Sequence, residues 1–282
     1  MTQLQGLSRR ILTRHRIAKS FVAKRFGPDK MEAPDMLGSF IKHGLDQRTA
    51  EAEAVLQVYV PPLFTASLLP TNLYCSISSS DTTASTIRTA LLHIITSPSL
   101  YSALLSEITT AISSGAVSSP VITSAEASAL PILQAALKES LRIWPPVHGI
   151  MPRVSPRDAT VCGKHIPAGT NVCWSSYVCL RNKHVFGDDA EIFRVGRWFN
   201  KDKERLKKME ETVELAFGVG RWGCLGKGIA MVEMGKVVFE VLRRWDFTVV
   251  DAERPIRNEF TGMLVQSGMW VRLEKKETVL GI

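Results

Sequence analysis

The chain has 282 residues, 45% of them hydrophobic, which is enough to bury one large core or two smaller ones. Five cysteines at irregular spacing, without a secretory leader, argue against a disulfide framework and for reduced, mostly buried thiols. A net charge of +8 suits an acidic partner, and with scattered basic residues and no nucleic-acid motif that partner is read as a protein.

Residues 1 to about 24 are basic and helix-compatible, with Leu4, Leu7, Ile11, Leu12 and Ile17 near helical spacing. They hold no apolar core long enough for a signal peptide or membrane anchor, and a mitochondrial transit peptide is the minor alternative. After a turn at Gly27-Pro28, further helices begin at 35–41 and at 49–57. Residues 55–80 then carry no charge but include Pro61, Pro62 and Pro70, prolines that weaken a membrane-span reading. The Ser78 to Thr86 run leads into a helix through Leu91, Leu92 and Ile95, and taken alone it reads as an N-cap cluster.

Past Ser97-Pro98 a helix is expected over 99–113, closed by Gly115. A second is expected over 124–143, capped at Ser124 and stopped by Pro145-Pro146. Glu139 and Arg142 share a face of it, and their plainest reading is a surface ion pair. Residues 147–187 alternate as short strands, at 147–153, 160–162, 166–170 and 171–177, with turns at Gly163-Lys164 and Ala168-Gly169. Cys162, His165, Cys173 and Cys179 fit no familiar zinc spacing, and His148 reads as packing or surface. Residues 201–214 are a charged run. Strands at 245–250 and 269–273 close the chain as a pair.

The stretch around which the rest is organised is the loop at 217–226, Phe-Gly-Val-Gly-Arg-Trp-Gly-Cys-Leu-Gly, followed by a proline-free, largely buried helix over 225 to about 243. Its glycines allow a tight turn, and Cys224 stands at the positive end of the helix dipole, an environment suited to a thiolate metal ligand. Gly226, without a β-carbon, lets something flat and bulky such as a porphyrin lie against the backbone. Gly218, Gly220 and Gly223 also spell a dinucleotide fingerprint, but no strand is expected before it, and Arg243 and Arg244 stand where its acidic residue belongs. A buried structural cysteine is the other plain alternative.

The loop resembles the heme-ligand segment of the cytochrome P-450 family, Phe-x-x-Gly-x-Arg-x-Cys-x-Gly. Phe217, Gly220, Cys224 and Gly226 match, with Gly218 also in the loop; Trp222 stands where Arg or His is usual, and Arg221 is one place early. The Gly-Arg-Trp-x-Cys-Leu-Gly-Lys run is similar to that of fungal enzymes resembling pisatin demethylase. The resemblance covers about 35–57 and 79–275, with four motifs in the family's order. It implies a mainly α fold with a small β region, the C-terminal, heme-binding half of the family's fold with the N-terminal half absent. It implies Cys224 as axial ligand to the iron of heme b, with Trp222 and Arg153 toward the propionates. Asp81 and Thr82 would serve oxygen activation as proton relay and hydroxyl donor, with Ser79 in place of the usual glycine. Glu139, Arg142 and Arg197 would form a structural triad, with Val195 and Gly196 replacing the family's Pro and acid. Met263, Leu264 and Val265 would line a substrate pocket.

The activity implied is monooxygenation of a small organic substrate, with electrons from NADPH through cytochrome P-450 reductase. The alternatives are a non-catalytic fragment that binds heme weakly or not at all, and a member that rearranges peroxides. The family suggests the endoplasmic reticulum membrane, although the sequence shows no anchor. Three segments follow: a helical 1–57, an anomalous insertion at 58–78 read as a retained intron, and the heme-binding core at 79–282.

Overall fold

The computed structural model describes residues 72–260 and 262–276, with backbone alone at 72–80 and 221, and before them 19–20, 22–26, 41–42, 44, 46–48 and 50–51. The chain divides into two units, Met1–Asp81 and Thr82–Ile282. In the first, Val22 and Ala50 are buried, and Glu51 accepts from Gln47 Nε2 at 3.0 Å and lies 3.8 Å from Lys19 Nζ. The rest of the helices expected before residue 58, and the insertion up to residue 71, lie outside the described residues.

Helix α1, Asn72–Ile95, begins well before the Ser-Ser-Asp-Thr cluster. That cluster therefore lies inside a helix and caps nothing, which removes the N-cap reading. The hydroxyls of Ser85 and Thr86 donate back to the Thr82 carbonyl at 2.9 and 3.1 Å, and both side chains are buried with Thr89, Ala90 and Ile94. Helix α2, Pro98–Ser113, opens with proline in its first turn, where the missing N–H costs nothing, and Gly115 at φ +70° ends it.

The single helix expected over 124–143 is two: α3, Ser124–Ser128, and α4, Pro131–Ile143. Pro131 holds Leu130 extended, at φ −93° and ψ 102°, which stops α3 and starts α4. The cap of α3 is Thr123, one residue earlier than expected, in a reciprocal box with Glu126. Across the core, Glu107 of α2 accepts from the amides of Ile132 and Leu133 at 2.7 and 3.0 Å, so α2 caps α4.

Strand β1, Ile150–Val154, pairs antiparallel with β4, Asn171–Ser175; between them β2, Ala159–Val161, pairs with β3, Lys164–Ile166. Cys162 and Gly163 both take positive φ at the β2–β3 turn, as a two-residue hairpin requires. Two short helices follow, α5 at Ser176–Cys179 and α6 at Lys183–Phe186, then a 3-10 turn at Val195–Phe199. The charged run is α7, Lys203–Glu214, capped by Asp202 and burying Met209 and Val213. Helix α8, Lys227–Arg244, precedes β5, Trp245–Val249, which pairs with β8, Val271–Lys275. Strands β6, Arg257–Phe260, and β7, Leu264–Ser267, form a further hairpin.

Helix α8 is less buried than its apolar content suggests. Met234, Val238, Phe239 and Leu242 enter the core shared with α2, α4 and α7, whereas Ile229, Val232 and Val237 are exposed on other faces. The cysteines also depart from expectation: Cys162, Cys173 and Cys224 are exposed, in a hairpin turn, a two-stranded sheet and the glycine loop, and Cys179 is half-buried on α5. Among the described residues no group of His, Cys, Asp or Glu is placed to hold a metal ion, and no helix is long and apolar enough to cross a membrane.

Candidate functional site: the cysteine loop and its support

The loop starts where α7 tightens into a 3-10 turn, Leu215–Phe217. Phe217 packs against the core and anchors the loop's first end. Gly218 then reverses the chain at φ +74°, and a β-carbon there would meet the Trp222 carbonyl at 3.0 Å, so glycine is required twice over. A second 3-10 turn, Gly220–Trp222, is closed by Gly223 N donating to Gly220 O at 3.0 Å. The decisive bond follows: Cys224 N donates to Phe217 O at 2.6 Å, tying the cysteine to the anchored residue.

Cys224 is exposed and stands three residues before α8, whose N-cap is Gly226. Its Sγ lies 3.9 Å from where a β-carbon on Gly226 would fall. Leu225 is 97% exposed and Trp222 56%, so the thiol opens onto an apolar surface rather than into the core. The buried structural cysteine is therefore excluded. The dinucleotide reading fails as well, since a helix and a 3-10 turn precede the glycines where a strand is needed.

Arg153 of β1 reaches this loop. Its guanidinium carbon lies 4.9 Å from the Trp174 ring centroid and 5.7 Å from that of Trp222. Two residues expected to face propionates are thus side by side, and a cation stands next to the exposed thiol loop. These residues fit a flat, anionic-edged macrocycle: an open sulfur, a glycine beside it, apolar surface around it and a guanidinium at the side.

On α4, Glu139 organises a network whose side chains Glu139, Arg142, Arg197 and Trp198 are buried. Its Oε1 accepts from Arg142 Nη2 at 2.8 Å, Arg197 Nε at 3.0 Å and the Arg194 amide at 2.8 Å; Oε2 accepts from Arg142 Nε and Trp198 Nε1, both at 3.0 Å. The remaining guanidinium protons bind carbonyls, Arg142 those of Leu180, Ala190 and Ile192, Arg197 those of Phe186, Asp189 and Ile192, except that Arg197 Nη1 also donates to Asp189 Oδ1 at 3.3 Å. The surface-pair reading of Glu139 and Arg142 is overturned, since both side chains are fully buried. Sequence reasoning missed Trp198 and the Arg194 amide as partners. Their signal was the adjacency of both to Arg197 in a segment too short for a helix.

An aromatic corner lies at the end of α4. His148 packs against Trp144, Tyr177 and Phe260, and Arg181 stacks over Tyr177 at 3.8 Å. Burial pushes the imidazole down to about 4, with the Arg181 charge adding to the effect and the carbonyls of Pro146 and Pro145 opposing it. His148 is thus packing, as expected. Leu264 is buried, its amide donating to Pro146 O at 2.7 Å, and Met263 bridges to Val147. On α1, Asp81 is exposed and Thr82 half-buried; Asp81 falls in the first unit and Thr82 in the second.

A family model described as cytochrome P450 matches residues 71–269. Among curated relatives, the cytochrome P450 monooxygenase ABA1 of Pyricularia oryzae is 38% identical over 92% of this chain and 47% of its own length. The cytochrome P450 monooxygenase aba1 of Botryotinia fuckeliana is 37% identical over 93% of this chain and 48% of its own. A third, abl1 of Leptosphaeria maculans, is 40% identical over 79% of this chain and 36% of its own. The chain spans about half the length of the curated relatives it matches.

Proposed function

The chain belongs to the cytochrome P450 family, and on that premise we propose that it is the heme-bearing, C-terminal part of a monooxygenase acting on a small organic substrate. The observation that carries this reading is Cys224, exposed, with its amide bonded to Phe217 O at 2.6 Å in a glycine loop before an 18-residue helix. When bound, heme supplies reductive activation of dioxygen, one oxygen atom entering the substrate and the other leaving as water, with electrons from NADPH through a reductase.

The chain's own residues divide the remaining work. Cys224 offers the sulfur ligand, and the Phe217 anchor and Gly218 turn fix where that sulfur points. Gly226 would leave space for a flat ring, and Arg153, with Trp222 beside it, would face its carboxylates. Thr82 would offer a hydroxyl and Asp81 a carboxylate for proton delivery during oxygen activation. Glu139, Arg142 and Arg197 would touch no reactant; they hold the segment 180–198 against α4.

The run Gly220, Arg221, Trp222, Cys224, Leu225, Gly226, Lys227 supports a place among fungal members resembling pisatin demethylase. Lys203, Lys207 and Lys208, exposed on α7, suit an acidic reductase surface. We also propose that the anomalous insertion at 58–78, which carries Pro61, Pro62 and Pro70, is a retained intron. Source transcripts that uniformly retain those codons, in an active enzyme, would contradict a retained intron.

The second reading is a fragment without catalysis, favoured by the span of about half of each relative. Heme titration of the full chain beside Cys224→Ala separates the two. Saturable uptake lost in the variant supports the enzyme, while equal, unsaturable uptake by both supports the fragment.

A further inference from the structure

Resting on the heme-site reading, we propose that Trp222 is a positioning residue: with Trp174 it clamps the Arg153 guanidinium, and through it supplies the propionate-facing charge that its own position lacks. The family pattern puts a cation at position 222, and this chain puts an indole there. The deficit is met in space by β1, whose Arg153 guanidinium carbon lies over both rings, 4.9 Å from the Trp174 centroid and 5.7 Å from that of Trp222.

The sheet register explains the first half of the clamp. Arg153 stands opposite Val172 and Met151 opposite Trp174, so Arg153 and Trp174 are diagonal neighbours on one face of the β1–β4 ribbon. Among the described residues the buried Trp174 Nε1 has no hydrogen-bond partner, and it is the ring's face that the guanidinium overlies. The loop explains the second half. Gly218 and Gly220, at φ +74° and +61°, turn the chain so that Trp222 comes to the sheet. Among the described residues the guanidinium makes one hydrogen bond, from Nη1 to the adjacent Pro152 carbonyl at 2.8 Å. Its other N–H donors are, among those residues, open to a carboxylate, while the group lies over two π-systems.

Trp222 could instead act as a simple hydrogen-bond donor through its indole N–H. Chemistry separates the roles, because phenylalanine keeps the ring without the N–H and glutamine keeps a donor without the ring. The test is heme titration of the full chain and of Trp222→Phe, Trp222→Gln, Trp222→Ala, Arg153→Ala and the Arg153→Ala/Trp222→Ala pair, with circular dichroism of each. Trp222 is more than half exposed, so its truncation leaves the core intact.

The clamp predicts Trp222→Phe within about twofold of the parent, and Trp222→Gln and Trp222→Ala roughly three- to tenfold weaker. The double variant should be no weaker than Arg153→Ala alone, and the carbon-monoxide band should keep its thiolate position throughout. Retention by Trp222→Gln with loss in Trp222→Phe, or additive losses in the pair, would overturn the clamp while leaving the heme site standing. Absence of heme uptake by the parent chain would overturn both.

Discussion

Glu139 and Arg142 stand one turn apart on α4, joined by hydrogen bonds of 2.8 and 3.0 Å, with neither side chain exposed to solvent. Burying two charges costs several kcal/mol each, and here the cost is offset because the surrounding carbonyls, Arg197 and Trp198 leave neither group unsatisfied. Removing one member strands the others. Glu139→Ala should therefore cost about 3–5 kcal/mol and prevent recovery of folded protein, measured by urea unfolding or soluble yield. Arg142→Lys should also destabilise, since an ammonium cannot reproduce the forked pairing.

The same charge chemistry on the surface should matter little. Arg254 lies 3.5 Å from Asp251 with 86% of its side chain exposed. Arg254→Ala should change the unfolding free energy by less than about 0.5 kcal/mol. A large effect there would mean that proximity, not burial and full hydrogen bonding, distinguishes the Glu139 network.

Acid should weaken the fold through His93, stacked on Phe193 with ring centroids 4.1 Å apart. Burial lowers this imidazole from 6.5 to about 4, only partly opposed by the Glu139 charge. The unfolded chain therefore binds the proton first as pH falls. Stability is complete above about 6.5 and is lost progressively toward 4. His148, lowered to about 4 mainly by burial, acts in the same window. The urea midpoint should drop between about pH 7 and pH 5 by the equivalent of roughly 2 kcal/mol for His93, and His93→Phe should flatten that slope.

Gly218→Ala tests the loop. With φ at +74° and the Trp222 carbonyl 3.0 Å from the new methyl, the turn must open. A cost of about 1–3 kcal/mol is expected, together with weaker heme uptake. Gly115→Ala, at φ +70° but with nothing within 4 Å, should carry the strain without any loss of uptake.

The sequence made the site's local parts legible and left its tertiary parts hidden. The Phe217 to Gly226 loop could be read because glycines, cysteine and the following helix lie together in the chain. Helix α2 was also readable, since Pro98 and Gly115 punctuate it. Pairing across distance could not be read so well. The burial of Arg142 beside Glu139 is supported by carbonyls 38 to 50 residues away, and Glu139's Trp198 and Arg194 partners come from a 3-10 turn and its cap that periodicity does not mark. The break at Leu130 was overlooked because the apolar pattern continues through it while Pro131 interrupts only the backbone. Cys162 and Cys173 are exposed in two-stranded ribbons, and which face of so short a strand is covered leaves no trace in its sequence.

Cys224 binding heme iron as a thiolate is the premise of the proposed function. The most direct measurement is the reduced carbon-monoxide difference spectrum of the purified full chain after heme is supplied. The expected result is the red-shifted Soret band that gives the family its name, abolished in Cys224→Ala. A band at the shorter wavelength of a protonated or replaced ligand, or no heme band at all, would contradict it.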